Sequence, residues 1–189
     1  MTGCLRVVAV IDAALQLLAR ILAWLLPLVV LLAAAVVVLR YALETGYPWL
    51  SESYVWLHGA IFMLAMAGVL AWDAHVRVDV FYRFFNQRGR ALVNLFGVAL
   101  LLWPSMYVIG TLGLPIVERS WRIAERSPTP DGLPVLYLIK AIVPLMCLLV
   151  SLQGLVLFVR SLAVLVDRHR WGHLLPARDE AERTGDVNA

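Results

Sequence analysis

Few side chains in this sequence are placed to do chemistry inside its long apolar runs: His58, Asn94, Ser105, Thr111, Ser151 and Gln153. Histidine titrates near neutrality and ligates metals and haem. His58 therefore carries the sharpest chemical reading, a haem or quinone site with His75 as a further candidate ligand, or a proton relay. Bis-histidine haem ligation needs a partner at matching depth, and no other histidine lies in an apolar run, so a structural histidine is the simpler reading. The other polar groups suit hydrogen bonds between helices. There is no H-E-x-x-H pair, no phosphate-cradling glycine loop and no Ser/His/Asp set. Cys4 and Cys147 cannot build a disulfide framework, and Cys147 reads as a small core residue. The expectation is a chain that is not an enzyme and holds no metal or cofactor.

The elements that position these residues follow from composition. Of 189 residues, 62% are hydrophobic and 15% charged, with mean hydropathy +0.82, against about 45–50% and 25% in an average soluble domain. That excludes a soluble globule, and a formal charge of +3 is too small and dispersed for nucleic-acid binding. Four apolar runs lie between charged residues: 21–39, 53–72, 91–117, and a fourth from 141–159 that extends to about 134–160. Each reaches the roughly 17–25 residues that cross a bilayer. They must be helices, because an open strand edge in lipid leaves backbone groups unsatisfied. The first run is also longer than the roughly 7–15-residue core of a signal peptide. The fold expected is an all-α membrane protein with four transmembrane helices, its membrane domain spanning 1–165, followed by a polar, partly disordered tail over 166–189.

Charge then sets orientation. Arg6, Arg20, Arg77, Arg83, Arg88, Arg90, Arg160, Arg168, Arg170, Arg178 and Arg183 lie on one side of the four spans; Arg40, Arg119, Arg122, Arg126 and Lys140 lie on the other. The positive-inside rule places both termini in the cytoplasm. Two amphipathic segments are expected to lie in the inner interface. The first, 5–20, puts Asp12, Gln16 and Arg20 on one side. The second, 79–90, puts Asp79, Arg83, Asn86, Gln87 and Arg90 opposite Val80, Phe81, Phe84 and Phe85, with Asp79 and Arg83 spaced to pair. Either apolar face suits lipid or a partner helix.

Outside, Glu118, Arg122 and Arg126 recur at i, i+4 and i+8, so the third helix continues past the membrane, restarted by Pro115 at a first-turn position. Pro128, Pro130, Asp131, Gly132 and Pro134 then form a stiff turn. Lys140 can snorkel to the interface. Pro27, Pro104 and Pro144 are expected to kink their helices, and small-residue steps such as Ala67 with Ala71 and Cys147 with Ser151 permit close helix approach. With no Asp, Glu, Lys or Arg inside 21–39, 53–72, 91–117 or 141–159, the equipment of an ion-coupled transporter is missing.

Several stretches taken together resemble a known family. They are H-V-R-V-D-V-F-Y-R from His75 to Arg83, Glu52 ahead of the second span, E-R-S-P-T-P-D-G-L-P from Glu125 to Pro134, L-I-K-A-I-V-P from Leu138 to Pro144, and Leu152-Gln153-Gly154. In order and topology, residues 20 to 160 resemble the small membrane subunit of tripartite ATP-independent periplasmic (TRAP) transporters, the DctQ-like family. The resemblance implies a multi-pass protein of the bacterial inner membrane that scaffolds a large sodium-coupled permease subunit. A periplasmic solute-binding protein would deliver an organic acid or similar solute. The site residues expected on that basis are His75, Arg77, Asp79 and Arg83, toward the partner subunit or membrane lipid, and Glu52, Glu125, Arg126, Ser127, Gly132 and Pro134, facing a periplasmic partner or shaping the outer loop.

Overall fold

The computed structural model describes residues 2–72, 86–166 and 171, and all regular structure among them is helical. The helices are α1 (Thr2–Ala23), α2 (Leu26–Ala42), α3 (Pro48–Ala71), α4 (Gln87–Phe96), α5 (Trp103–Arg122) and α6 (Leu136–Val166), with a π-helical stretch over Gly97–Leu102 joining α4 to α5. Four helical units among the described residues are long and apolar enough to cross a membrane: Leu5–Ala42, Pro48–Ala71, Gln87–Arg122 and Leu136–Val166. The four apolar runs thus appear as four helical units. The second amphipathic segment expected at 79–90 falls mostly outside the described residues, and α4 begins at Gln87. The tail expected from 166 onward also lies outside them, apart from Val166 and Trp171.

Prolines explain most of the irregularities. Pro27 sits in the first turn of α2, where its missing N–H costs nothing. The chain breaks ahead of it in a turn closed by Leu25 N–H to the Leu22 carbonyl at 3.0 Å. Pro104 sits in the first turn of α5. Its ring presses on the carbonyl four residues back, which it cannot serve as a donor. The widened turn before it relieves that contact, with Trp103 N–H reaching back to Val98. Pro115 behaves otherwise than expected: it lies inside α5, which runs on to Arg122 without a restart. Neighbouring helices and local adjustment let a helix in an apolar setting absorb a proline. Pro144 is likewise contained within α6.

The longest helix, α6, is the centre of the bundle, touching α1, α3, α4, the π-helical stretch and α5. Its buried residues include Cys147, Val150, Gln153, Gly154, Val156, Ser161 and Val164. Since lipid is as apolar as leucine, close packing and polar contacts, rather than flight from water, hold such helices together. Small residues mark the contacts. A Cβ on Gly154 would lie 2.9 Å from Leu102 Cδ2 and 3.2 Å from Trp103 Nε1, and Gly110 faces Cys147. Trp103 Nε1 donates to the Ser151 carbonyl at 3.3 Å, and its ring lies 5.2 Å from that of Phe158. By contrast α2 packs chiefly on α3 and has no buried residue.

The helix α1 is not a simple two-sided amphipath. Val8, Asp12, Leu15, Ala19 and Leu22 are buried, at alternating steps of four and three that form one stripe. That stripe lies on α3 and α6, and Leu15 joins Ala67, Leu70 and Val150 in one apolar cluster. The approach to α3 is so close that a Cβ on Gly68 would sit 2.2 Å from Ala19 Cβ. Val7, Val10, Leu17 and Ile21 face outward on the other side.

Candidate functional site

Polar chemistry gathers at the two ends of the bundle. At one end α5 stops in a Schellman turn: Ala124 adopts φ 43°, its N–H donates to Trp121 O at 3.2 Å, and Glu125 N–H donates to Ser120 O at 3.0 Å. This turn swings the Glu125 carboxylate back over the helix end, where it accepts from the Ser120 hydroxyl and pairs with Lys140 from the second turn of α6. The Lys140 hydrogen bond, then the Ser120 hydroxyl, hold the Glu125 carboxyl below its ordinary value of 4.5. Lys140, expected to reach for the interface, is instead the strut between loop and helix. Of the neighbouring pair singled out from sequence, Arg126 is exposed and Glu125 is turned inward.

The loop then closes on itself. Ser127 N–H donates to Leu133 O at 3.1 Å, and Gly132 N–H to Thr129 O at 3.0 Å. Pro130 and Asp131, the latter at φ 58°, fill the central positions of a turn with the type II pattern. Into this ring reaches Glu52 from the first turns of α3, accepting from the Ser127 hydroxyl and from the Leu133 N–H at 2.7 Å. A Cβ on Gly132 would lie 2.8 Å from both Glu52 oxygens and from Ser127 Cβ, so glycine is required here by the approach of the carboxylate. Four of the residues singled out from sequence, Glu52, Glu125, Ser127 and Gly132, thus belong to one knot joining α3, the loop and α6. Pro134 and Arg126 are exposed beside it. Of the i, i+4, i+8 series, Glu118 and Arg122 form an ion pair, while Arg126 lies beyond the helix end.

At the other end lies a cluster that the sequence reading missed. Asp12 was expected on a polar face in the interface; its residue is only 6% exposed. Its carboxylate accepts from Arg160 at 2.7 Å, from Gln153 Nε2 at 2.9 Å and from Gln16 at 3.0 Å. The two α6 donors stand 141 and 148 residues away along the chain. Local periodicity holds no trace of such a pairing. A polar residue within an otherwise apolar buried stripe, Val8, Asp12, Leu15, Ala19 and Leu22, is the one signal that could have found it.

His58 is exposed on α3 and is the one histidine among the described residues. No group of three or more His, Cys, Asp or Glu able to hold a metal occurs among them either. His75, Arg77, Asp79 and Arg83 lie outside the described residues.

Four long apolar helical units, with ion-paired clusters toward the ends of the bundle among the described residues, agree with what comparison with known families gives. The family model for the DctQ component of tripartite ATP-independent periplasmic transporters matches residues 28–164. The chain belongs to the DctQ family. The match takes in the four helical units from the first turn of α2 to near the end of α6, and with them Glu52, the loop knot, Gln153 and Arg160; Asp12 and α1 precede it. DctQ is a transporter component rather than an enzyme family. No curated protein and no solved structure matches the chain.

Proposed function

We propose that this DctQ chain is a non-catalytic scaffold: the small permease subunit of a TRAP-type transporter in a bacterial inner membrane, with both termini cytoplasmic. It anchors a large sodium-coupled permease subunit that takes up an organic acid or similar solute delivered by a periplasmic binding protein. One observation carries the reading. Only 6% to 28% of the apolar window in each spanning unit is buried within the chain, while the described acidic and basic groups gather toward the bundle ends. A chain so arranged offers wide apolar faces to lipid and to another subunit, and no charged path through its middle. Reconstitution tests it: vesicles holding this chain alone show no sodium-driven uptake, and vesicles holding it with the large subunit and binding protein do. Uptake by the chain alone would reject the scaffold reading.

Within that reading the knot of Glu52, Glu125, Ser127 and Gly132 shapes the periplasmic loop, and the exposed Arg126 and Pro134 are the groups left free to meet a periplasmic partner. His75, Arg77, Asp79 and Arg83 are proposed to contact the partner subunit or lipid headgroups at the cytoplasmic end. Replacing Arg77 and Asp79 by alanine should lower recovery of the large subunit on co-purification, and unchanged recovery would remove that role. The haem or quinone anchor has no support from the exposed His58, and a visible haem absorption in the purified protein would be needed to revive it.

A further inference from the structure

We infer that Asp12, Gln153 and Arg160 form a polar lock that docks α1 in one register across α3 and α6, making the N-terminal helix a fixed part of the bundle rather than a loosely attached surface helix. Asp12 is the only acidic residue of α1. Within the buried stripe it replaces what would otherwise be one more apolar contact. Apolar stripes specify register poorly, since a helix can slide by a turn and still bury similar surface, whereas a carboxylate meeting fixed donors has one place to go. The donors come from one face of α6 at i and i+7: Gln153 gives Nε2 to Oδ1, and Arg160 gives its guanidinium to Oδ2. Gln16 adds a third donor from within α1.

The close pass of Ala19 over Gly68 makes register matter, because a slide would drive a larger side chain into that contact. Gln153 is 1% exposed and its Oε1 has no hydrogen-bond partner among the described residues, so the bond from its Nε2 to Asp12 is what ties its amide. The lock also fixes which groups face outward. With Asp12 turned in and neutralised by Arg160, the exposed side of α1 keeps Val7, Val10, Leu17 and Ile21 beside the cations Arg6 and Arg20.

Disulfide crosslinking in membranes tests the lock. In a Cys4→Ser, Cys147→Ala background, Leu15→Cys and Ala67→Cys place thiols on α1 and α3 within one packed cluster. The parent crosslinks readily. Asp12→Leu or Arg160→Leu alone lowers the crosslinked fraction at least about tenfold, because each leaves its partner charge uncompensated. The exchange Asp12→Arg with Arg160→Asp restores it, since the Gln153 and Gln16 amides can turn their oxygens toward the relocated arginine. Single variants that crosslink like the parent would overturn the inference, as would an exchange variant that stays uncrosslinked. If the single variants fail to accumulate as folded protein, the exchange variant still decides: its recovery sustains the lock, and its failure to fold refutes it.

Discussion

The two ends of the bundle solve the same problem, holding helix ends together with charge, by different physics. At the loop end, Glu52 and Glu125 are tied to two serine hydroxyls, a backbone N–H and a lysine, and the Glu125 and Lys140 side chains remain about 30% exposed. Water shares their charge, so each bond contributes modestly. At the α1 end the Asp12 side chain is 8% exposed and its Arg160 partner 23%. There, loss of one member strands the other, and breaking the pair costs far more than the pair's net worth. Shape depends on the first knot, and the attachment of a whole helix on the second.

The largest test of this contrast is Asp12→Leu. It should lower stability to unfolding in detergent by about 3 kcal/mol, and Asp12→Leu with Arg160→Leu should recover most of that, because a buried pair replaced on both sides is close to neutral. Glu52→Leu, at the wetter end, should cost about 1 kcal/mol. If the two ends respond alike, the contrast fails.

Next come the glycines under each knot. Gly68→Ala forces a Cβ to within 2.2 Å of Ala19 Cβ, and Gly132→Ala one to 2.8 Å of the Glu52 carboxylate. Overpacking should cost about 2 kcal/mol at Gly68, where neither helix can yield, and about 1 kcal/mol at Gly132, where a glutamate can swing away. Thermal unfolding ranks the two, and hydrogen exchange at 127–133 should rise for Gly132→Ala alone.

Acid should act on the loop end through Glu125. Its carboxyl titrates below 4.5 in the folded chain because of the Lys140 and Ser120 bonds, so its contribution is complete above 4.5 and lost as pH falls through the depressed folded value. Amide exchange in 120–127, corrected for intrinsic rate, should stay flat above pH 4.5 and rise as the pH falls below it. Lys140→Met should abolish most of that rise. The smallest expected effect is a gain: Ala124→Gly relieves the left-handed φ of 43° and should stabilise the α5 end by about 0.5–1 kcal/mol.

The same contrast explains what the sequence made legible. Four apolar runs between charges reveal four spanning units, because lipid forces each to be helical, although the first is broken by a turn at Trp24 and Leu25. The loop residues stood out because prolines, glycine and paired charges crowd a short stretch, and the structure brings four of them together. Lys140 looks like a snorkelling cation in sequence because its pairing with Glu125 depends on a Schellman turn at Ala124, a residue type that seldom signals one. Asp12 was misplaced for a deeper reason. Spacing alone cannot tell a polar face turned to water from one turned to a partner on another helix, and that partner, Arg160, looked like the end marker of a span. Pro115, exposed within α5, departs from the expected restart because a proline that would end a helix in water is tolerated in a long apolar helix.

The central claim, that this DctQ chain works through a larger membrane subunit, is tested most directly by purifying the tagged chain in mild detergent after co-expression with the large TRAP subunit from the same source. The account predicts that the large subunit co-elutes in about equal amount and stays bound through size-exclusion chromatography. A chain that elutes without the large subunit, though both are present and folded in the membrane, would contradict it.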